Sequence, residues 1–340
     1  MNPVPLKESR ALRWMVAILG LVLVLSLTQE LARPETTDLI SAGTAASTLR
    51  RAVPILLAGL GGIWAERAGV VNIGLEGMMI LGTWFGAWGA LEFGPWWGIA
   101  IGIAGGAAGG LLHAVATVGF GVDHIISGVA INILAPGITR FLSREIFAKQ
   151  SGGGITQSPR VESVGHFDVP FVSGGEIFGW ATPDIFGWID DRGWFVVSDL
   201  FAVASGITSN VSWATLLAIA LVPGTVYVLW RTPFGLRVRS CGEHPVAADS
   251  LGVNVYRMKY AAVVISGGMA GFGGAFIAIE QTGIYREAQT QGRGFIGLAT
   301  VIFGNWQPLG AFLGSILFGF ADALQLQDRT AVHALLLLTG

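Results

Sequence analysis

The sequence predicts an all-α, polytopic membrane protein with about nine to ten spanning helices, and three observations predict it. First, 52% of the 340 residues are hydrophobic and only 12% are charged, where a soluble domain carries about 25% charged residues; the mean hydropathy is +0.63. Second, apolar runs close to the roughly 20 residues that a spanning helix needs recur along the chain. Third, there are 50 glycines, a residue common where membrane helices pack closely. The net charge of −2 says little, because orientation depends on where the charges lie. The chain reads as a single transmembrane domain over 1–340, with a long loop at 143–210 and a shorter one at 231–257.

The first run, residues 14–29, follows Lys7, Arg10 and Arg13. A basic stretch before an apolar one resembles a secretory signal. No small-x-small cleavage site follows in S-L-T-Q-E-L-A-R-P-E, so it reads as an uncleaved first helix with a cytoplasmic N-terminus. Further spans are expected at 12–29 as a whole, 52–65, 70–91, 95–119, 124–142, 211–230, 258–279, 294–304 and 308–327, with another run from Ala331. The runs 52–65 and 294–304 look too short to cross unaided, and short or broken segments in transporters mark the substrate path. Both regions contain I-G-L, at 73–75 and 296–298, a likeness that chance explains in so Ile-, Gly- and Leu-rich a chain.

Counting crossings from a cytoplasmic N-terminus places 143–210 outside and 231–257 inside. The charges agree. The long segment holds Arg144, Lys149, Arg160 and Arg192 against Glu145, Glu162, Asp168, Glu176, Asp184, Asp190, Asp191 and Asp199. The short loop holds Arg231, Arg237, Arg239 and Arg257, with Lys259 beyond, against Glu243 and Asp249. Basic inside and acidic outside is the positive-inside pattern. Within the runs, Gly102, Gly106 and Gly110 recur every four residues, as do Gly105 and Gly109, and then Gly267 and Gly271. Such stripes let helix backbones approach and are structural.

The stretch 66–77, E-R-A-G-V-V-N-I-G-L-E-G, places Asn72 and Glu76 inside an otherwise apolar region. An acidic side chain at mid-bilayer costs about 2.5–3.5 kcal/mol on insertion scales, so it faces a partner, a bundle interior or water. On a helix starting near Val70, Asn72, Glu76 and Thr83 fall at i, i+4 and i+11, one face. That face is a candidate lining for a translocation path. The structural alternative is that Glu76 bonds or pairs locally, with Arg67 or with a backbone amide of a broken helix. His113 and Asn132 read as interhelical hydrogen-bonders. In the short loop, Pro245 suits a first helical position and Gly252 a stop, so 245–251 reads as a surface helix with a small face at Ala247 and Ala248. It can dock in a partner's groove; the alternative is a solvated basic loop.

The single cysteine, Cys241, excludes a disulfide framework and a Cys-rich metal site. None of Lys7, Lys149 and Lys259 lies in a G-x-x-x-x-G-K-[ST] setting, and H-E-x-x-H and G-x-S-x-G are absent. Any ATP-driven role therefore needs a separate ATPase subunit. No cofactor, metal or nucleic-acid partner is expected.

The stretch P-I-L-L-A-G-L-G-G-I-W-A-E-R-A-G-V-V-N-I-G-L-E-G-M-M-I-L-G at 54–82, with 235–255 and 292–311, resembles permease subunits of bacterial ATP-binding cassette (ABC) importers. The branch is the one serving simple sugars and nucleosides, akin to ribose and branched-chain amino-acid permeases, with purine-nucleoside permeases the nearest likeness. The resemblance implies a type II-like importer fold in a bacterial inner membrane. It also implies a second, often non-identical permease subunit, cytoplasmic ATPases and an extracytoplasmic solute-binding protein. It makes the helix near 245–251 a coupling helix, with Glu243, Pro245, Ala247, Ala248, Asp249 and Gly252 as candidate coupling residues. The chain stops inside L-L-L-L-T-G, where relatives usually continue, and its outer loop is long for the family. Two other classes compete: a secondary transporter using Glu76 for proton coupling, and a membrane enzyme or scaffold, which the lack of a catalytic constellation disfavours.

Overall fold

A computed structural model describes residues 41–170, 172–177, 180–190 and 197–327. The expected first span at 12–29 and the run from Ala331 lie outside the described residues. The elements in order are α1 (Ala42–Arg67), α2 (Leu75–Phe93), α3 (Pro95–Ala114), α4 (His124–Glu145), α5 (Ile185–Asp190), α6 (Val197–Thr208), α7 (Trp213–Arg231), α8 (Pro233–Glu243), α9 (Pro245–Ser250), α10 (Val255–Phe276), α11 (Arg293–Phe303) and α12 (Pro308–Gln327). Helices α3 and α10 each run on into a π-helical turn, Val115–Gly119 and Ile277–Gln281. Extended structure among the described residues amounts to two short two-stranded ribbons and an isolated antiparallel bridge between Gln157 and Arg286. The all-α, polytopic class expected from the sequence is what forms, and among the described residues five helices are long and apolar enough to cross a membrane.

Two compact units divide the chain. One comprises residues 50–165 and 212–319 and holds every residue of the candidate sites. Its centre is α10, packed against α2 and α3. The glycine stripes explain how. A methyl at Gly106 would overlap the Gly267 carbonyl and the Gly271 Cα, and one at Gly110 would lie 2.6 Å from the Val263 carbonyl. Gly105 and Gly109 sit on another side of α3, against Phe85 and against Met78 and Leu81 of α2. One helix thus carries two stripes for two neighbours, and backbone-to-backbone dispersion replaces the hydrophobic drive that lipid cannot supply. The other unit includes 166–211, the greater part of the long loop. It is not bare coil: it folds α5, α6 and an antiparallel ribbon pairing Glu176–Ile177 with Trp180–Ala181.

The structure corrects two element expectations. The run 52–65 is not short, because α1 extends back to Ala42 through Thr44, Thr48, Arg50 and Arg51. Hydropathy marks only the apolar part of such a helix, whereas backbone bonding continues through polar residues, with the Thr48 hydroxyl bonding the Thr44 carbonyl at 2.7 Å. Conversely, α2 begins at Leu75 rather than near Val70. Gly69, at φ 76°, turns the chain where an added Cβ would lie only 3.1 Å from the Gly242 Cα of α8, and 70–74 is irregular. Asn72 therefore precedes the helix, and helical spacing does not relate it to Glu76.

The other short run is short. α11 has 11 residues, about 16 Å at 1.5 Å per residue against a hydrocarbon core of about 30 Å. It follows an irregular segment, 282–292, in which Ala288 and Gln291 adopt positive φ of 60° and 51° before Gly292 at 78°. It runs alongside α1 in step: Gly297 meets Ala58 and Gly59, Val301 meets Gly62, and Trp306 just beyond the helix meets Glu66 and Arg67. α11 is a discontinuous helix whose first turn begins inside the unit.

Candidate functional site

The irregular backbone at 70–74 would be untenable in an apolar setting without partners for its polar groups. Side chains of α3 and α4, and Asn72 of the segment itself, supply them. The Val71 carbonyl accepts from His113 Nε2 of α3 at 3.2 Å, and the Val71 N–H donates to His124 Nδ1 of α4 at 3.3 Å. Because a carbonyl only accepts, His113 carries its proton on Nε2 there, and Nδ1 takes the Ser127 hydroxyl at 2.9 Å. Asn132 of α4 donates to the Ile73 carbonyl at 3.0 Å and accepts from the Gly77 N–H at 2.7 Å. That last bond satisfies a first-turn donor of α2 that has no partner within its own helix. Asn72 is fully buried; its amide donates to Ser266 Oγ of α10 at 2.9 Å and its oxygen accepts from the Gly74 N–H at 3.1 Å. His113 and Asn132 are thus interhelical hydrogen-bonders, as expected from sequence.

Glu76 lies in the first turn of α2 and is 7% exposed. Its Oε1 accepts from the Thr290 hydroxyl at 2.6 Å and from the Gly292 N–H at 3.0 Å, and its Oε2 accepts from the Gly294 N–H at 2.7 Å. The carboxylate therefore caps the N-terminus of the broken helix α11, one of the two local partners weighed above. Two backbone amides, a hydroxyl and the positive end of a helix together hold it. Gly294 is required there, because a Cβ would sit 2.6 Å from the Glu76 Cα and N. Thr83 lies farther along α2, buried, with its hydroxyl bonded to the Ile80 carbonyl at 2.6 Å. The three predicted residues thus share α2 and its approach, but the structure joins Glu76 to α11, Asn72 to α10, and Thr83 to its own helix. Thr290, Gly292 and Gly294 were not singled out. The G-R-G at 292–294, opening a run too short to cross, was the available signal.

The end of α1 ties this region to the basic loop. The Arg67 guanidinium donates to the Trp306 carbonyl at 2.9 Å and lies 5.3 Å from the Trp230 ring centroid, which Arg239 of α8 also approaches at 5.8 Å. The Trp306 indole N–H bonds the Glu66 carboxylate. Gly242 packs against Arg67 and Gly69 so closely that a methyl would overlap the Arg67 carbonyl.

Beyond it lies α9, six residues from Pro245 to Ser250. Leu251 and Gly252 turn the chain out, Gly252 at φ 80°, and the Val253 N–H bonds the Ala248 carbonyl. Of the predicted residues, Glu243, Pro245, Ala247, Asp249 and Gly252 are exposed and Ala248 is buried. Sequence reasoning missed the apolar pair that this turn displays: Val246 is 82% and Leu251 84% exposed. Cys241 is buried in α8, and burial pushes its thiol pKa up, against the pull of Lys259 and Ser240. Among the described residues no group of three His, Cys, Asp or Glu side chains is placed to hold a metal ion.

Comparison with known proteins places this architecture. The family described as the branched-chain amino acid transport system, permease component, matches residues 44–337. The guanosine ABC transporter permease protein NupQ of Bacillus subtilis is 38% identical over 290 residues, 82% of this chain and 81% of its own. The nucleoside ABC transporter permease protein NupC of Lactococcus lactis is 37% identical over 82% of this chain and 80% of its own. The putative glucose ABC transporter permease protein TsgC13 of Haloferax volcanii is 33% identical over 87% and 80%. No solved structure matches. A family match across most of the chain, and relatives of this identity along most of their own length, establish that the protein belongs to the ABC-transporter permease family of branched-chain amino-acid-type permease components.

Proposed function

We propose that the protein is a translocation subunit of an importer that carries nucleosides inward across a bacterial cell membrane by alternating access. Its N-terminus and the 231–257 loop lie on the cytoplasmic side, and 143–210 lies outside. It works with a second, non-identical permease subunit, cytoplasmic ATPases and an extracytoplasmic solute-binding protein. It performs no chemistry itself. The carrying observation is the likeness, along more than four-fifths of the chain, to permease proteins named for guanosine and nucleosides. The glucose-named relative makes a simple sugar the second reading.

α9 is the segment that couples to the ATPase. Its exposed Val246 and, just past its end, Leu251 provide the apolar contact, with Glu243, Pro245, Ala247 and Asp249 around them and with Ala248 and Gly252 setting the turn. Asn72, Glu76 and Thr83 belong to the translocation machinery: the first two hold the irregular backbone beside the path, and Thr83 continues that side of α2. A permease only exchanges conformations, and a ligand biases that exchange by its differential affinity for the two states. ATP binding to docked subunits supplies the bias through α9. Proton coupling at Glu76 is disfavoured by a carboxylate already committed to three donors. The test is uptake of radiolabelled guanosine and glucose by vesicles holding the assembled transporter. Guanosine uptake is expected to require internal ATP and the ATPase subunit, and to survive collapse of the proton gradient. Glucose uptake without guanosine uptake would move the assignment to sugars. Loss of uptake to a protonophore while ATP stays high would overturn the ATP-driven reading.

A further inference from the structure

The irregular segment 70–74 has one open side. Val71 and Ile73 form a wall of a cleft of about 570 Å³, closed elsewhere by Thr117 in the π-turn that continues α3, by Val122 and Asp123 in the turn that follows, and by His124 at the start of α4. All of these residues belong to the unit comprising 50–165 and 212–319. The volume falls within the range of about 300–1,000 Å³ of sites for small organic ligands. Two observations give this cleft water rather than lipid as its filling. Val71 is 42% exposed although its backbone is irregular, and irregular backbone in an embedded unit is tolerated at an open face only where it lines a water-filled cavity. Asp123 is exposed, and a carboxylate is costly against lipid.

The polar groups on the walls are only partly used. His124 accepts the Val71 N–H on Nδ1, so its neutral ring carries the hydrogen on Nε2, for which no protein partner is present among the described residues. Asp123 accepts the Ile125 and Ile126 N–H groups on Oδ1, which leaves Oδ2 as an acceptor. The Thr117 hydroxyl gives its hydrogen to the His113 carbonyl at 2.7 Å and can only accept further. The cleft thus combines one N–H donor, a carboxylate oxygen and aliphatic walls. That set suits an uncharged solute with hydroxyl groups: the carboxylate takes hydroxyl hydrogens and repels anions, and the imidazole N–H offers nothing to a cation.

We propose that this cleft is a solute subsite on the translocation path, in which Asp123 accepts from solute hydroxyls, His124 donates through Nε2, and Val71 and Ile73 pack against the apolar face of the solute. This rests on the nucleoside reading above and deepens it. A nucleoside has each part required: vicinal ribose hydroxyls for the carboxylate, acceptor atoms for the imidazole, and a flat base for the aliphatic wall.

The test is photolabelling of the complete transporter in vesicles with 8-azidoguanosine, with and without ATP, followed by mapping of the labelled peptides of this chain. Label is expected within residues 71–73 and 117–125, and excess guanosine is expected to remove it. Val122→Trp fills the cleft. Asp123→Asn keeps the α4 cap, for which asparagine serves as well, and removes the charge. Each is expected to lower the label per assembled transporter about tenfold. Leu112→Trp, exposed on α3 but outside the cleft, is expected to leave it unchanged. A merely structural role for these residues would reduce the amount of assembled transporter and leave the label on what assembles at the wild-type level. Absence of label from the cleft, or wild-type labelling in either variant, would overturn the proposal. If Val122→Trp fails to assemble, Asp123→Asn decides by the same comparison. Uptake of radiolabelled guanosine by the same vesicles tests the nucleoside reading separately, and uptake without label in the cleft overturns the subsite alone. If the vesicles carry glucose instead, a photoreactive azidoaryl glucoside replaces the probe and the same map decides the subsite; if they carry neither, both readings fall.

Discussion

Asn132 and Glu76 each cap a helix other than their own. Asn132 of α4 reaches the first turn of α2, and Glu76 of α2 reaches the first turn of α11. In water these helix ends would be solvated or capped locally by a Ser, Thr, Asp or Asn; in an apolar interior the cap must come from a neighbour. That a buried acid at position 76 needed a partner was legible in the sequence, because the cost of an unpaired one is large. Which partner it finds was not, since Thr290 and Gly294 lie more than two hundred positions away. The buried thiol of Cys241 yields a residue-scale prediction. Only the thiolate reacts, and burial raises the pKa of this group, so the folded protein holds less thiolate at any pH below the raised value than an exposed cysteine does. Maleimide labelling at pH 7 is expected to be about tenfold or more slower than for a free cysteine, to rise only in strongly alkaline solution, and to become rapid on unfolding. Fast labelling of the folded protein at pH 7 would show that α8 does not bury Cys241.

At the scale of elements, the four-residue glycine spacing forecast close helix packing, and α3 meets α10 through those glycines. Their partition between two neighbours was invisible, because spacing gives a face but not what it faces. Gly106→Leu is expected to lower stability by about 1–3 kcal/mol or more, the range for overpacking, and to reduce the yield of monodisperse protein in detergent. Gly224→Ala of α7 is the control, since a methyl there meets nothing within 4 Å and an alanine is favoured over glycine in a helix by roughly 0.5–1 kcal/mol. Equal melting temperatures for Gly106→Leu and Gly224→Ala would contradict the packing. The brevity of α11 was also legible, because an apolar run bounded by G-R-G and by G-N-W-Q-P has few places to extend. The full length of α1 was not, because its first two turns are too polar for a hydropathy reading.

Across the whole molecule, a continuous set of contacts runs from the basic loop to the helix break. α9 follows α8; Gly242 of α8 packs on Arg67 and Gly69; Arg67 holds Trp306 beyond α11; and Glu76 holds the start of α11. These contacts join α8, and α9 after it, to the end of α1 and to the residues beyond α11. Val246→Asp with Leu251→Asp is expected to lower substrate-stimulated ATP hydrolysis and uptake about tenfold or more, equivalent to about 1.4 kcal/mol or more of lost interaction. The isolated permease should keep its melting temperature, because both side chains are exposed. Unchanged uptake would exclude α9 as the coupling contact. Ala248→Trp is a poor probe of the same contact, because Ala248 is only 3% exposed and the variant would disturb the loop itself.

Composition and apolar run lengths by themselves determined that this chain is a helical, multi-pass membrane protein, and the lack of a nucleotide motif led to the expectation that ATP chemistry belongs to another subunit. These properties are local: a run of about 20 apolar residues crosses a bilayer whatever its neighbours are. Tertiary structure alone decided that Glu76 closes the end of α11, that Asn72 stands outside α2, and that Val246 and Leu251 face outward while Ala248 is buried. Those outcomes depend on which backbone groups are left without partners once the helices pack, and that is settled between segments far apart in the chain.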